Sequence, residues 1–318
     1  MTDTNDDLRS AGRPRRVVVC VTTHQRNDAL RRLLVSLVSV AECAAGSAEV
    51  GVVVVDDNPD GRAEAVVREF AGRYPLDVHY RFTGAENISI GRNAALEAGM
   101  EVGDWILMTD DDCEPPADWV IQMLGAQERF GADLVTGPRS YRSAEAAPSW
   151  YSATRYHEDS EIRYPDGSVP DHGCTANVLI SSDFLRAHPD VRFQDALGRL
   201  GGEDMVFFHA AEGAGANHRF SVSAITYEYV PLERTRLRSL LRTSFWYGNN
   251  EAVINERTHE WSRLRLLLRG GRRAIEPQME LVAAALRRSG ADWRGSLYDS
   301  MRGLGLVVGA FGVRINHH

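Results

Sequence analysis

The sequence predicts an α/β protein: a mostly parallel, mixed sheet flanked by helices, with a helical extension towards the C-terminal end. Three observations predict it. Short β-branched runs alternate with amphipathic segments through the first 110 residues. Several of those runs end in polar or acidic residues. Beyond Pro231 the pattern turns helical and arginine-rich. Strands alternating with helices imply right-handed crossovers and a parallel sheet, and such sheets bind ligands beyond the carboxyl ends of their strands.

The elements follow in order. Residues 1 to 14 read as a disordered tail. RVVVCVTT (16–23) is a buried strand. Leu30, Leu33, Leu34, Leu37 and Val38 repeat at helical spacing, with Asn27 or Asp28 as cap. VGVVVVDDN (50–58) is a second buried strand, AEAVVREFAGRY a second helix and DVHYRF a third strand. SIGRNAALEAGM opens a third helix, and WILMT (105–109) is a fourth strand. DLVTGPRS and ANVLISS read as strands. Residues 140 to 172, with Pro148, Pro165 and Pro170, read as a long loop region serving as lid or acceptor surface. GGEDMVFFHAAEGAGA is a glycine turn followed by a helix, and helical pattern then runs from Pro231 to about residue 290. The organisation expected is a catalytic domain over 15–235 and a helical region over 236–318.

Composition narrows the function. A hydrophobic content of 43% and a charged content of 25% are those of a soluble globular chain. The net charge of −8 argues against broad nucleic-acid binding. Cys20, Cys43, Cys113 and Cys174 lack zinc-type spacing and read as free thiols in a reducing compartment. With a polar N-terminus and no apolar run near the roughly 20 residues of a membrane span, a cytoplasmic location is expected. All 36 basic residues are arginine. Without lysine, a Walker-type phosphate loop and a pyridoxal Schiff base are excluded.

Asp110, Asp111 and Asp112 follow the fourth strand directly. Adjacent carboxylates resist ionisation beside one another, so a compensating cation is expected unless the run is a solvated, helix-capping turn. Hard oxygen ligands suit Mg²⁺ or Mn²⁺. In a parallel sheet, Thr22 and Thr23, Asp56 and Asp57, and the three aspartates share one edge.

Six segments together resemble the inverting family 2 glycosyltransferases, nucleotide-sugar-dependent enzymes of GT-A fold, and in particular bacterial polysaccharide-type members. They are VCVTTHQRNDALRRLLVSL, VVVVDDN, NISIGRNAAL, MTDDDCEPPADWV, GCTANVLISSDFL and GGEDMVFF, in that order, over roughly residues 15 to 250. The resemblance implies a GT-A (Rossmann-like) sheet and roles by position. Asp57 would accept from the base ring, with Thr22, Thr23 and Arg26 nearby. Arg92, Asp110 and Asp111 would approach the nucleotide. Asp110 and Asp112 would hold Mn²⁺ or Mg²⁺, with Asp112 the direct contact. Asp204 would be the general base, and Glu203 would orient or assist it. Some metal-dependent relatives carry a histidine after the Glu-Asp helix; YEYVPLER offers Glu228 instead, which leaves a third metal ligand open.

The implied reaction moves a sugar from a nucleotide-diphosphate donor, UDP-sugar favoured, to an acceptor hydroxyl. It needs a stabilised leaving diphosphate, an aligned hydroxyl and a carboxylate to take its proton. The acceptor is a saccharide, a lipid-linked molecule or a small molecule, and no nucleic acid is expected. If the Glu-Asp pair only starts a helix, Asp159, Glu161 and Asp171 are the next candidates for the acid. The rival readings are a non-catalytic sugar-nucleotide-binding module and, more distantly, a nucleotidyltransferase. GAGAN (213–217) is read as a loop and His172 with Cys174 as incidental. The arginines at 234, 236, 238 and 242 form a solvated face, with binding of an anionic acceptor or a lipid phosphate as the alternative. GLGLVVGAFGV (303–313) is a packed helix, with peripheral membrane contact as its alternative.

Overall fold

The computed structural model describes residues 14–72, 76–156, 164–171, 173–287 and 292–316. The tail expected over 1–14 falls, but for its last residue, outside the described residues, as do Asp159, Glu161 and His172.

The chain runs β1 (Arg15–Thr23), α1 (Asn27–Ala44), β2 (Ala48–Asp56), α2 (Ala63–Phe70), β3 (Asp77–Phe82), α3 (Ile88–Val102) and β4 (Trp105–Asp110). It continues with β5 (Cys113–Glu114), α4 (Trp119–Phe130), β6 (Leu134–Thr136), β7 (Arg139–Ser143), α5 (Ala153–Tyr156), β8 (Asn177–Ser181) and α6 (Ser182–Ala187). After α7 (Glu203–Gly213), β9 (His218–Phe220) and β10 (Thr226–Val230) come three helices, α8 (Leu237–Thr258), α9 (Arg263–Leu286) and α10 (Trp293–Ala310).

The main sheet has the order β3-β2-β1-β4-β8-β6-β9. β3, β2, β1 and β4 are parallel, whereas β8 runs antiparallel between β4 and β6. Alternate residues of β1 feed two cores, as the two-residue side-chain period of a strand requires. Val17, Val19 and Val21 pack with α1, α2 and α4, while Val18 and Cys20 pack with α3, α6 and α7. The order 3-2-1-4 reverses direction between β1 and β4, and this switch point is where open α/β sheets hold ligands.

Local chemistry departs from the expected boundaries in instructive places. α1 has Arg26 at its cap position without a side-chain cap bond. α3 begins earlier than expected because Asn87 caps it, accepting from Ser89 N and Ile90 N. DLVTGPRS is two strands, with β6 in the main sheet and β7 in a small sheet of order β5-β10-β7. Gly137 makes the break, for a Cβ there would lie 1.9 Å from Ala224 O. The loop expected over 140–172 is shortened by β7 and carries α5. GAGAN is a turn between α7 and β9, as expected, and all four cysteines are free thiols.

The C-terminal helices meet through glycine. A Cβ on Gly248 of α8 would sit 1.8 Å from Arg302 O, and one on Gly305 of α10 would sit 1.9 Å from Phe245 O. GLGLVVGAFGV is therefore a packed helix, as expected, up to Ala310, where α10 ends, and its small residues let backbones touch. Overpacking such a contact costs about 1–3 kcal/mol. Gly248→Ala is accordingly expected to lower the melting temperature by several degrees. Gly125→Ala, in α4 with open space around it, should hold or raise it, since Ala gains roughly 0.5–1 kcal/mol over Gly within a helix. Equal shifts for the two variants in a thermal melt would contradict the close-packed reading.

Candidate active site

The strand register assembles the site. Thr22 pairs with Asp110 across β1 and β4, and Thr23 pairs with Asp56 across β1 and β2. A cleft of about 770 Å³ opens here. Its lining includes Thr22, Thr23, Arg26, Asp57, Arg92 and all three aspartates. Tyr141, Trp246 and Tyr247 add aromatic walls, and Glu203 and Glu228 add acids. A second hollow of about 660 Å³ shares Arg26, Asp112 and Arg234 with it.

Acids and arginines alternate along the cleft. Glu203 pairs with Arg92 Nη1, and Arg92 Nη2 lies 3.4 Å from Asp110. Arg139 stands 3.9 Å from Asp110 and 3.0 Å from Glu228. Arg234 lies 3.5 Å from Glu228 and 3.6 Å from Asp112. Arg26 closes the series at 2.7 Å from Asp112 and 3.1 Å from Asp111. Asp111 also accepts from the Thr23 hydroxyl at 2.7 Å. Burial pushes the carboxyls of Asp111 and Glu203 up to about 6 and that of Glu228 up to about 7, against the opposing pull of their arginines.

α7 enters this series through a two-glycine turn. Gly201 and Gly202 have φ of 91° and 80°, a region L side chains avoid. A Cβ on either would also strike α8, at Trp246 or at Ile254 and Asn250. The Asn250 carboxamide brackets the turn, its nitrogen 2.9 Å from Gly201 O and its oxygen 3.0 Å from Gly202 N. The turn places Glu203 in the cleft lining and leaves Asp204 partly exposed beside it. Asp204 Oδ1 accepts from Met205 N at 2.8 Å.

Most of the residues expected from sequence therefore converge. Asp57 is at the cleft too, but its carboxylate orders its own chain. Oδ1 accepts from Thr83 Oγ1 at 2.8 Å and Ala85 N at 3.1 Å, and Oδ2 from Asn87 N at 2.6 Å. With about four lone-pair sites on a carboxylate, Oδ2 keeps one for a further donor. The Thr22 hydroxyl oxygen is buried without a hydrogen-bond partner. Asp171, the remaining described fallback acid, is exposed and outside the cleft lining. Arg139, Tyr141, Trp246 and Tyr247 were not singled out from sequence. Only Arg234 carried a signal, as one of the helically spaced arginines.

Among the described residues, no group of three or more His, Cys, Asp or Glu side chains forms a metal cage. The donor set nevertheless fits a hard divalent cation, which takes one or two carboxylates together with substrate phosphates. The lined-up groups comprise five carboxylates and four guanidiniums, so the cleft can accommodate further positive charge.

The sequence and fold match known proteins. The family model described as "Glycosyl transferase family 2" matches residues 18–185, more than half of the chain. The chain belongs to glycosyl transferase family 2. It is 30% identical over 213 residues to the succinoglycan biosynthesis protein ExoM of Rhizobium meliloti (strain 1021), covering 67% of each chain. It is 26% identical over 170 residues to an undecaprenyl-phosphate 4-deoxy-4-formamido-L-arabinose transferase of Edwardsiella ictaluri (strain 93-146), covering 52% of this chain and about half of that one. In fold it is similar to residues 1–349 of S. aureus TarS, with a TM-score of 0.53, 15% identity and coverage of 94% and 91%. The same S. aureus protein in complex with UDP-GlcNAc gives a TM-score of 0.52 at 14% identity, with the same coverage. This family 2 glycosyltransferase has the GT-A fold expected from its sequence.

The Arg92–Glu203 pair is nearly fully buried. Removing one partner of such a pair costs about 3–5 kcal/mol, because a buried charge is left alone. Arg92→Met should destabilise the enzyme by that amount in urea denaturation, and Arg92→Met/Glu203→Met should recover much of the loss. A double variant no more stable than the single one would show that the pair is not the source of the effect.

Proposed function

We propose that this glycosyltransferase moves a sugar from a nucleoside-diphosphate donor, UDP-sugar favoured, to a saccharide hydroxyl, inverting the anomeric centre by direct displacement. The observation that carries the reading is the cleft at the β1/β4 switch point, whose lining joins Thr22, Thr23 and Asp110 to Asp112 with Glu203 at the start of α7. Two comparisons support it. A protein of the same fold has been solved with UDP-GlcNAc, and a relative 30% identical is named for the biosynthesis of succinoglycan, a polysaccharide.

Each group then has a task. The unpartnered Thr22 hydroxyl and the remaining lone pair of Asp57 offer polar contacts for the nucleoside. A site built for such a hydrogen bond discriminates against rings that lack the donor. Arg26, Arg139 and Arg234 present guanidinium forks, which suit phosphate oxygens. Asp110 and Asp112 would hold Mn²⁺ or Mg²⁺. When bound, the ion would stabilise charge on the leaving diphosphate. Trp246, Tyr247 and Tyr141 offer flat apolar faces to a sugar acceptor.

Asp204 is the general base of this reading. Glu203 is held by Arg92, which fixes its carboxylate in the cleft lining. Asp204 follows it directly and is partly exposed. Glu203 then acts as a positioning residue, tying α7 to α3.

Two experiments test these assignments. Asp204→Asn should lower kcat by about 10²- to 10⁴-fold with donor KM little changed, while Glu203→Gln loses less. If Asp204→Asn keeps near-native turnover and Glu203→Gln is dead, the base is Glu203. For the metal, a nucleotide-sugar thermal-shift panel with and without Mn²⁺ should show donor-dependent stabilisation that needs the ion. Asp112→Asn should abolish that dependence. Unaltered Mn²⁺-dependent donor affinity in folded Asp112→Asn sinks the metal assignment, and a clear preference for guanosine or thymidine donors sinks the uridine one.

A further inference from the structure

The C-terminal helices carry a surface the cleft does not use. On α9, Leu264, Leu268, Ile275, Met279, Val282 and Leu286 are 59 to 82% exposed. Leu264 and Val282 lie 18 residues apart, as do Leu268 and Leu286. That interval is five turns of a 3.6-residue helix, so the six side chains share one face over about 33 Å of helix, with Pro277 between Ile275 and Met279. The opposite side of α9 is the packed one. Gly270 lies against Val307 and Gly303 of α10, and Leu266 clusters with Ala252 and Leu306.

α10 extends the apolar surface. Trp293, Leu304 and Phe311 are exposed and spaced 11 and 7 residues apart, which also puts them on one side of a helix. Gly305 and Gly309 of the same helix face α8, and Gly303 faces α9. Contiguous exposed apolar surface of this extent marks an interaction site.

Charge identifies the occupant. Residues 263–314 contain ten arginines and four acidic residues, in a chain of net charge −8. Arg273 and Arg302 pair with Glu251, and Arg314 with Glu256, both acids of α8, while the other arginines remain to balance the four acids. Arginines sit at the margins of the apolar side chains. The Arg263 guanidinium lies 5.2 Å from the Phe311 ring centroid, and that of Arg294 lies 4.5 Å from Trp293. Cations bordering an apolar stripe match a layer of phosphates over hydrocarbon.

We propose that the outward faces of α9 and α10 bind the anionic headgroup surface of a lipid bilayer, lying in the interface plane. Among the described residues no helix is long and apolar enough to cross a membrane, and interfacial seating does not require one. The proposal is independent of the donor and of the catalytic assignments.

Vesicle co-sedimentation of the full chain tests it. Binding to equimolar phosphatidylglycerol and phosphatidylcholine should exceed binding to phosphatidylcholine alone by about tenfold or more, and should weaken as salt rises. Leu268→Ser/Met279→Ser/Leu286→Ser should lose about tenfold in binding with its circular dichroism unchanged, because all three side chains already face water. Arg265→Gln/Arg269→Gln should lose the preference for anionic vesicles. Equal binding to neutral vesicles, or none to either, overturns the proposal. So does a dimer in light scattering that the triple serine variant dissociates, which would assign the face to a second copy of the chain.

Discussion

A guanidinium buried among carboxylates holds the two halves of the cleft together. Arg92 leaves α3 and reaches Glu203 on α7 and Asp110 on β4. A buried charge of either sign is tolerated only with partners and hydrogen bonds. The buried members, Arg92, Glu203, Glu228 and Asp111, therefore depend on their neighbours. Arginine serves this better than lysine would, since its planar fork can engage two carboxylates at once. Arg26, Arg92, Arg139 and Arg234 each do so.

The backbone makes room for that series at glycines. A Cβ on Gly91 would fall 2.6 Å from Thr22 Cγ2 and one on Gly103 2.7 Å from Val18 Cγ2, so α3 lies close against β1. That proximity carries Arg92 to the sheet edge. Gly201 and Gly202 then let α7 start at the rim, and Asn250 fixes their turn from α8. α8 thus buttresses the turn before α7, and the aromatic residues Trp246 and Tyr247 reach the cleft from the same helix.

Much of this was legible in the sequence, for physical reasons. β-branched runs and leucine spacing report burial directly, so β1 to β4 and the helices between them could be read. Given a parallel sheet, the shared edge of Thr22, Thr23, Asp57 and the three aspartates followed. Other features were not legible. Arg139 and Glu228 meet only because β7 and β10 pair in a separate small sheet, and no local pattern announces a long-range pairing. Asp57 looked like a ligand-facing acid, yet three hydrogen bonds to residues 83–87 occupy much of it. The split of DLVTGPRS depends on Ala224, a residue distant in sequence, crowding Gly137. The apolar stripe of α9 has the same period as a buried helix face, and only the fold reveals that it points outward.

The central claim is that the β1/β4 edge is the donor site. Hydrogen–deuterium exchange with UDP and Mn²⁺ tests it most directly. The account predicts slowed exchange at residues 22–26, 57–58 and 109–113, with the start of α7 following through Arg92. Measurable UDP binding that protects only segments away from this edge, and leaves residues 109–113 unchanged, would contradict it.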